Sequence, residues 1–430
     1  MSLTLALTGD SMIVRGALAY ADKQSQALQE IIRGADVSFT NLEVVANDYQ
    51  GYHGSGTLTP TLAAPASVLD ELAEFGIDVV AFANNHALNL GIEGMLSAIR
   101  ELKARRLAYC GVGRTLAEAS APVYIDRPGG SVAFLSCATT FAPGEEATPP
   151  SELMPGRPGL NPMRYRTRMG VTRRQLDVLA EIHQQLGLDE DLAYLAEMRF
   201  LNSPATAEDK ALFGSTFFAA DQPHIATSCH EPDLDRICRW VGEASARADV
   251  TVVSVHSHER GRTPLDPAEF LIDFAHAVID AGADVVAGNG PHCLRGIEMY
   301  HGRPIFFSLG NFVAQFELQT IVSSHTYDVF GASPELTAHQ IIGGDLLGFA
   351  THPEYARAAV PVLRFAGGAL KALELYPTTL GQQLPAAQRG RPALATGGEA
   401  EVILSDMATL SAKYGTSVTS SGGMARITVP

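Results

Sequence analysis

Short apolar runs along this chain stop abruptly in polar residues, and the stretches that follow repeat their apolar positions at helical spacing. Leu3 to Leu7 runs into Thr8-Gly9-Asp10, Val37 to Phe39 into Asn41-Leu42-Glu43, and Val79 to Phe82 into Asn84-Asn85-His86. Leu69, Leu72, Ala73 and Phe75, and then Ile92, Met95, Leu96, Ile99 and Leu102, fall near the intervals of one helix face. The pattern resumes at ADVTVVSVHSHE, passes through a helix carrying Phe270, Phe274, Ala277 and Val278, and returns as GADVVAGNGPHC and RPIFFSLGNF. Alternating strand and helix predicts parallel βαβ units whose helices cover a sheet. Ligands of such sheets gather beyond the carboxyl ends of the strands, so these polar clusters are expected to share one edge.

Residues 143–247 differ in character, rich in Pro and Arg at first (PGRPGLNPMRYRTRMG) and helical afterwards. They read as an inserted, mostly helical segment that covers the site. Further on, AVPVLRFAGGALKALELYP predicts a hairpin turning near Gly367-Gly368. A helix near Glu399 to Lys413 and a strand near Ala425 to Val429 follow, so residues 360–430 are expected to complete the same domain and the chain to be one domain, 1–430.

Composition narrows the class. Hydrophobic residues make up 46% and charged residues 18%, a globular balance without disorder. A formal charge of −16 opposes binding to nucleic acid or to an anionic membrane surface, yet leaves room for a small anion held by local cations. The five cysteines (Cys110, Cys137, Cys229, Cys238 and Cys293) form no C-x-x-C pair, which suits a reducing compartment. The opening MSLTLALTGDSM has no leader pattern, and no later run has the length of a spanning helix. A cytoplasmic protein is the expectation; the oligomeric state is not legible.

Taken singly, each polar cluster is an ordinary turn, cap or strand exit. Taken together they place carboxylates (Asp10, Glu43), carboxamides (Asn41, Asn85) and imidazoles (His86, His256, His292) where the topology brings strands together. Mixed oxygen and imidazole donors suit Mn, Fe or Zn, and one or two such ions can activate water for hydrolysis. The Gly111 to Gly113 G-x-G is too short to indicate a nucleotide.

The ordered set GD at 9–10, NLE at 41–43, ANNHALNLGIEG at 83–94, GVGRTLAEA at 111–119, GADVVAGNGPH at 282–292 and FFSLGNF at 306–312 resembles the CapA family of capsule and poly-γ-glutamate synthesis proteins. That family is related to the calcineurin-like metallophosphatases, so the resemblance implies a four-layer α/β/β/α sandwich with a helical insertion. It implies Asp10, Glu43, Asn85, His256 and His292 as metal ligands, His86 as the catalytic histidine, and Asn41 and Asn311 beside them orienting ligands or substrate. Asn289 stands where the family usually has His, and VHSHE replaces its VHWG, which leaves His258 and Glu259 as substrate-side candidates. Arg15 and Arg157 offer planar guanidinium forks for an anionic group. The expected function is a metal-dependent hydrolase, its divalent Mn, Zn or Fe activating hydroxide against a phosphoester or a glutamyl-type amide of a small anionic substrate. The alternative is a non-catalytic accessory or binding protein for poly-γ-glutamate or capsule polymer synthesis.

Overall fold

The strand Ser2–Met12 is buried along most of its length and sits inside a sheet that counts ten strands among the described residues. The structure, a computed structural model, describes residues 2–18, 22–54, 60–200, 208–342 and 352–429. On one side Ser2–Met12 pairs in parallel with Val37–Leu42, which continues to Val79–Ala81 and Ala108–Cys110. On the other it pairs antiparallel with Arg357–Ala366, in register Leu3 to Phe365 and Leu5 to Leu363. That strand turns back as Ala369–Thr379, the expected hairpin, with Gly367 and Gly368 both at positive φ where a side chain would strain the turn. Met424–Ile427 and Val418–Ser421 extend the same sheet.

A second sheet runs Ile297–Tyr300, Arg303–Phe306, Val285–Asn289, Val250–His256, Gly130–Ala138 and Val123–Arg127. The two sheets face one another. Leu5, Leu7, Val37, Phe39 and Val79 of the first meet Val132, Phe134, Val252, Val285 and Phe306 of the second in one apolar core. Phe39 and Phe134 stack across it with ring centroids 5.7 Å apart, a pair contributing about 0.5–1.5 kcal/mol beyond area burial. The helix Gly397–Ala412 adds Ile403, Leu404 and Met407 to that core.

The outer face of the first sheet is covered by Lys23–Arg33, Val68–Phe75 and Gly91–Ala104, which bury Leu28, Ile32, Leu69, Leu72, Met95 and Ile99. The outer face of the second is covered by Glu231–Ser245 and Glu269–Asp280 through Ile237, Val241, Phe270 and Phe274. The result is the expected α/β/β/α order of layers, a metallophosphatase-like α/β fold.

The inserted segment departs from the helical expectation. Besides the helices Arg173–Gln185 and Leu188–Glu197 it holds a four-stranded sheet, ordered Lys210–Leu212, Ser215–Ala219, Tyr165–Val171 and His224–Cys229. These strands are half-buried or exposed, so no strict apolar alternation marked them in the sequence. The segment rests on the outer helix layer: Phe270 N donates to Thr227 Oγ1 at 3.1 Å, and the Tyr165 and Phe270 rings stack at 4.4 Å. Its last helix, Glu231–Ser245, belongs to that outer layer itself. Among the described residues no helix is long and apolar enough to cross a membrane.

Candidate metal centre

Asp10 was expected just beyond a strand; the strand instead continues through it to Met12. Its pairing slips between Leu7 and Asp10 against Val37–Leu42, and between Asp10 and Ser11 against Asn311–Ala314. Such irregularities re-aim side chains. Gly9 permits the slip, because a Cβ there would lie 1.8 Å from the Gly310 carbonyl oxygen. Asp10 N donates to that same oxygen at 3.0 Å. The Asp10 carboxylate is fully buried; Oδ1 accepts from Asn41 Nδ2 at 2.8 Å and Oδ2 from Gly290 N at 3.0 Å.

The next two exits are tied together by Asn84, whose Nδ2 donates to Leu42 O at 2.8 Å and to Asn41 Oδ1 at 3.2 Å. Asn84 Oδ1 in turn accepts the His86 amide at 3.1 Å. Asn89 Oδ1 accepts from Leu62 N and lies 2.7 Å from His86 Nδ1, so that ring nitrogen carries the proton and Nε2 keeps a lone pair. The same logic fixes His292. Asn311 spends its Nδ2 on the carbonyls of His292 and Tyr355, so its Oδ1, 2.9 Å from His292 Nδ1, is the acceptor and that ring nitrogen carries a proton.

Glu43 occupies the centre. Four imidazole nitrogens surround its Oε1: His292 Nε2 at 3.5 Å, His256 Nε2 at 3.7 Å, His86 Nε2 at 3.8 Å and His258 Nε2 at 4.0 Å. These separations exceed hydrogen-bonding range. Both Glu43 oxygens are buried without a hydrogen-bond partner, as is Asn85 Nδ2. Asn85 Oδ1 lies 2.8 Å from His256 Nε2, and Asn41 Nδ2 lies 3.2 Å from His256 Nδ1. The ligand atoms of Asp10, Glu43 and His256 form one group within 4.8 Å, and those of Glu43, His258 and His292 form another.

Electrostatics fits a cation at this place. Burial and the Asp10 charge push the Glu43 carboxyl well above the usual carboxylate range. Burial also acts on Asp10, but His292, the Gly290 amide and Asn41 outweigh it and hold that carboxyl below its ordinary value. Burial drives His86 down to about 4 against the opposing bond to Asn89. Burial and neighbouring imidazoles hold His256 and His258 well below the ordinary histidine range. Neutral imidazoles are the form that ligates metal, and unprotonated nitrogens facing a carboxylate without donors are reconciled by a divalent cation. The donors present, carboxylate and amide oxygens with imidazole nitrogens, fit Mn, Zn or Fe.

The structure thus gathers Asp10, Asn41, Glu43, Asn85, His86, His256, His292 and Asn311 in one cluster, and it differs from expectation elsewhere. His258, expected on the substrate side, stands among the imidazoles around Glu43. Glu259 accepts from Ser257 Oγ at 2.8 Å and from the hydroxyls of Thr139 and Thr140, so its carboxylate is engaged by its own neighbours. Arg157 pairs with Glu146 at 2.9 Å within the inserted segment. Arg15 is exposed, its amide held by Gln315 Oε1 at 2.9 Å. Asn84, Asn89 and the Gly290 amide were not foreseen. The N-N-H-x-x-N spacing, with Asn89 three residues after His86, was the available signal for one of them.

Comparison with known proteins places this geometry in a lineage. The chain is 32% identical to the uncharacterized protein y4uA of Sinorhizobium fredii, over 97% of the chain and 91% of that protein. It is 24% identical to the capsule biosynthesis protein CapA of Bacillus anthracis, over 72% of the chain and 59% of that protein. A shorter match, 38% identical over 124 residues, joins 28% of the chain to 32% of the probable polyglutamine synthesis accessory protein MT0602 of Mycobacterium tuberculosis. The family described as bacterial capsule synthesis protein PGA_cap matches residues 4–316. With most of its length matched and the strand-end cluster inside the matched part, the chain belongs to the PGA_cap, or CapA, family.

Proposed function

We propose that this chain is a metal-dependent hydrolase acting on a phosphoester or a glutamyl-type amide of a small anionic substrate. The observation that carries this reading is Glu43: a buried carboxylate with neither oxygen hydrogen-bonded, among four imidazole nitrogens at 3.5–4.0 Å. Asp10, Glu43, Asn85, His256 and His292 would hold one or two divalent ions, Mn, Zn or Fe. When bound, such an ion supplies Lewis-acid polarisation and lowers the pKa of water.

The chain's own groups do the rest. Asn41 and the Gly290 amide fix the Asp10 carboxylate. Asn311 fixes the His292 ring and Asn89 fixes His86, and both Nε2 atoms face Glu43, at 3.5 and 3.8 Å. His86, expected from the resemblance to be the catalytic histidine, works as a neutral acceptor: its Nε2 takes a hydrogen bond from the attacking water and so orients it. Exposed Arg15 is the substrate-side cation. The net charge of −16 opposes nucleic acid or an anionic membrane surface as the partner and leaves room for a compact anion held by local cations.

The test is a panel of phosphomonoesters, phosphodiesters and γ-glutamyl amides, assayed with protein stripped by chelator and reloaded with Mn, Zn or Fe. Turnover that depends on metal and is lost in Glu43→Gln is expected. Metal-loaded protein without turnover that still binds poly-γ-glutamate would overturn the hydrolase in favour of an accessory role, the one named for the M. tuberculosis relative.

A further inference from the structure

Strand Val250–His256 ends at His256, and two residues on, at the spacing that puts side chains on one side of an extended chain, His258 brings its ring to the same cluster. His258 Nε2 lies 3.1 Å from His256 Nε2 and 4.0 Å from Glu43 Oε1, and its ring centroid is 5.2 Å from that of His292. This segment is pinned on two sides. Ser257 N donates to Asn289 O at 2.9 Å, and Thr139 N donates to His256 O at 2.9 Å. His258 N donates to Thr140 Oγ1 at 2.9 Å, and that hydroxyl donates onward to Glu259 at 3.0 Å. Ser257 Oγ and Thr139 Oγ1 donate to the same carboxylate. Glu259 therefore collects three hydroxyl donors, one from Ser257 and two from Thr139 and Thr140 beyond the neighbouring strand.

We infer that His258 is a cation ligand of an outer position formed with Glu43 and His292, and that Glu259 is the positioning residue that holds it there. The inference rests on the metal-centre reading above and adds to it a division of labour. Glu43 is shared by two ligand groups, an inner one with Asp10 and His256 and an outer one with His258 and His292. Solvent access separates them: the His256 side chain is 1% exposed and those of Asp10 and Glu43 are fully buried, whereas that of His258 is 32% exposed. The outer position is the one that exchanges with solvent. Two imidazoles and one carboxylate favour a nitrogen-preferring divalent ion such as Zn over Mg or Ca. The inner group, with two carboxylates to one imidazole, is the more oxygen-rich.

The experiment titrates chelator-stripped full-length protein with Zn by calorimetry and with Co by visible absorption, comparing wild type, His258→Ala, Glu259→Gln and Asp10→Asn. Wild type is expected to bind two ions with distinct affinities. His258→Ala loses or weakens only one of them by at least about tenfold, and Glu259→Gln weakens that same ion by about 10–100-fold, the usual cost of losing a group behind a ligand. Asp10→Asn weakens the other ion. Circular dichroism and metal-free unfolding midpoints matched to wild type show that Glu259→Gln acts on the ligand and not on the fold, and the Co spectrum of that variant shifts toward that of His258→Ala. Binding in His258→Ala identical to wild type overturns the inference while the metal centre stands. Normal binding in Glu259→Gln alone removes the positioning role. Absence of binding in wild type overturns both readings together.

Discussion

The Asp233 carboxylate, with no solvent exposure, meets two guanidinium groups at bonding distance, Arg164 Nε at 2.7 Å and Arg236 Nη1 at 2.5 Å. Around Glu43 the nearest imidazole nitrogens stand at 3.5 Å or more and none donates. Both carboxylates are buried and both have basic side chains for neighbours. Both oxygens of the first carboxylate are bonded, tying the inserted segment to the outer helix layer, whereas neither oxygen of the second has a hydrogen-bond partner. Long guanidinium side chains reach a buried carboxylate from 3 residues away (Arg236) or from 69 (Arg164), whereas imidazoles fixed at separate strand ends can be held just out of its reach.

Glu43→Gln is the sharpest break in that contrast. An amide donates where the carboxylate cannot, so metal affinity should fall at least about 100-fold while the metal-free protein gains on the order of 1–3 kcal/mol. Calorimetric metal titration and denaturant unfolding of the stripped protein check both directions. An equal loss of stability would mean that Glu43 is satisfied without an ion.

Asp233→Asn should have the opposite profile, costing about 2–3 kcal/mol and leaving metal binding untouched; the figure sits below that for a wholly buried pair because Arg164 is half exposed. Its pH dependence follows from the carboxyl. Burial works against the ionised form, but Arg164 and Arg236 hold the pKa at about 2, below the ordinary 3.8. The carboxylate's stabilisation is therefore full above the ordinary value and lost as pH falls through about 2. Urea midpoints of wild type and variant should differ at neutral pH and converge in acid.

Zn or Mn added at 100 times its dissociation constant should stabilise wild type by about 2.7 kcal/mol and Glu43→Gln hardly at all. The smallest effect is expected from Arg157→Ala. Its ion pair with Glu146 is partly solvated, so stability should move by less than about 0.5 kcal/mol and the KM for an anionic substrate should not change. A raised KM would return Arg157 to the substrate-binding role expected of it from sequence.

The strand-end residues were legible because each closes an apolar run, and runs of Val, Leu and Phe ending in Asn, Asp or His are visible without coordinates. The layering needed the family resemblance, since alternating strand and helix fits one doubly wound sheet as well as two facing ones. The inserted sheet stayed hidden because Tyr165–Val171 and its partners bury too little to alternate. The place of His258 beside Glu43 was not legible, because it is held through Thr139, Thr140 and Glu259, contacts spanning about 120 residues that no local pattern encodes.

Gly9 has a consequence that reaches past its neighbours. With no Cβ, it lets the first strand touch the Gly310 backbone, and the same slip turns Asp10 toward the Gly290 amide that follows the second sheet. Asp10 and Glu43 come from one sheet or its strand exit and His256 and His292 from the other, so an ion among them would be a rivet through the rim of the sandwich. Parting the sheets at that rim and releasing such an ion would then be a single mechanical event.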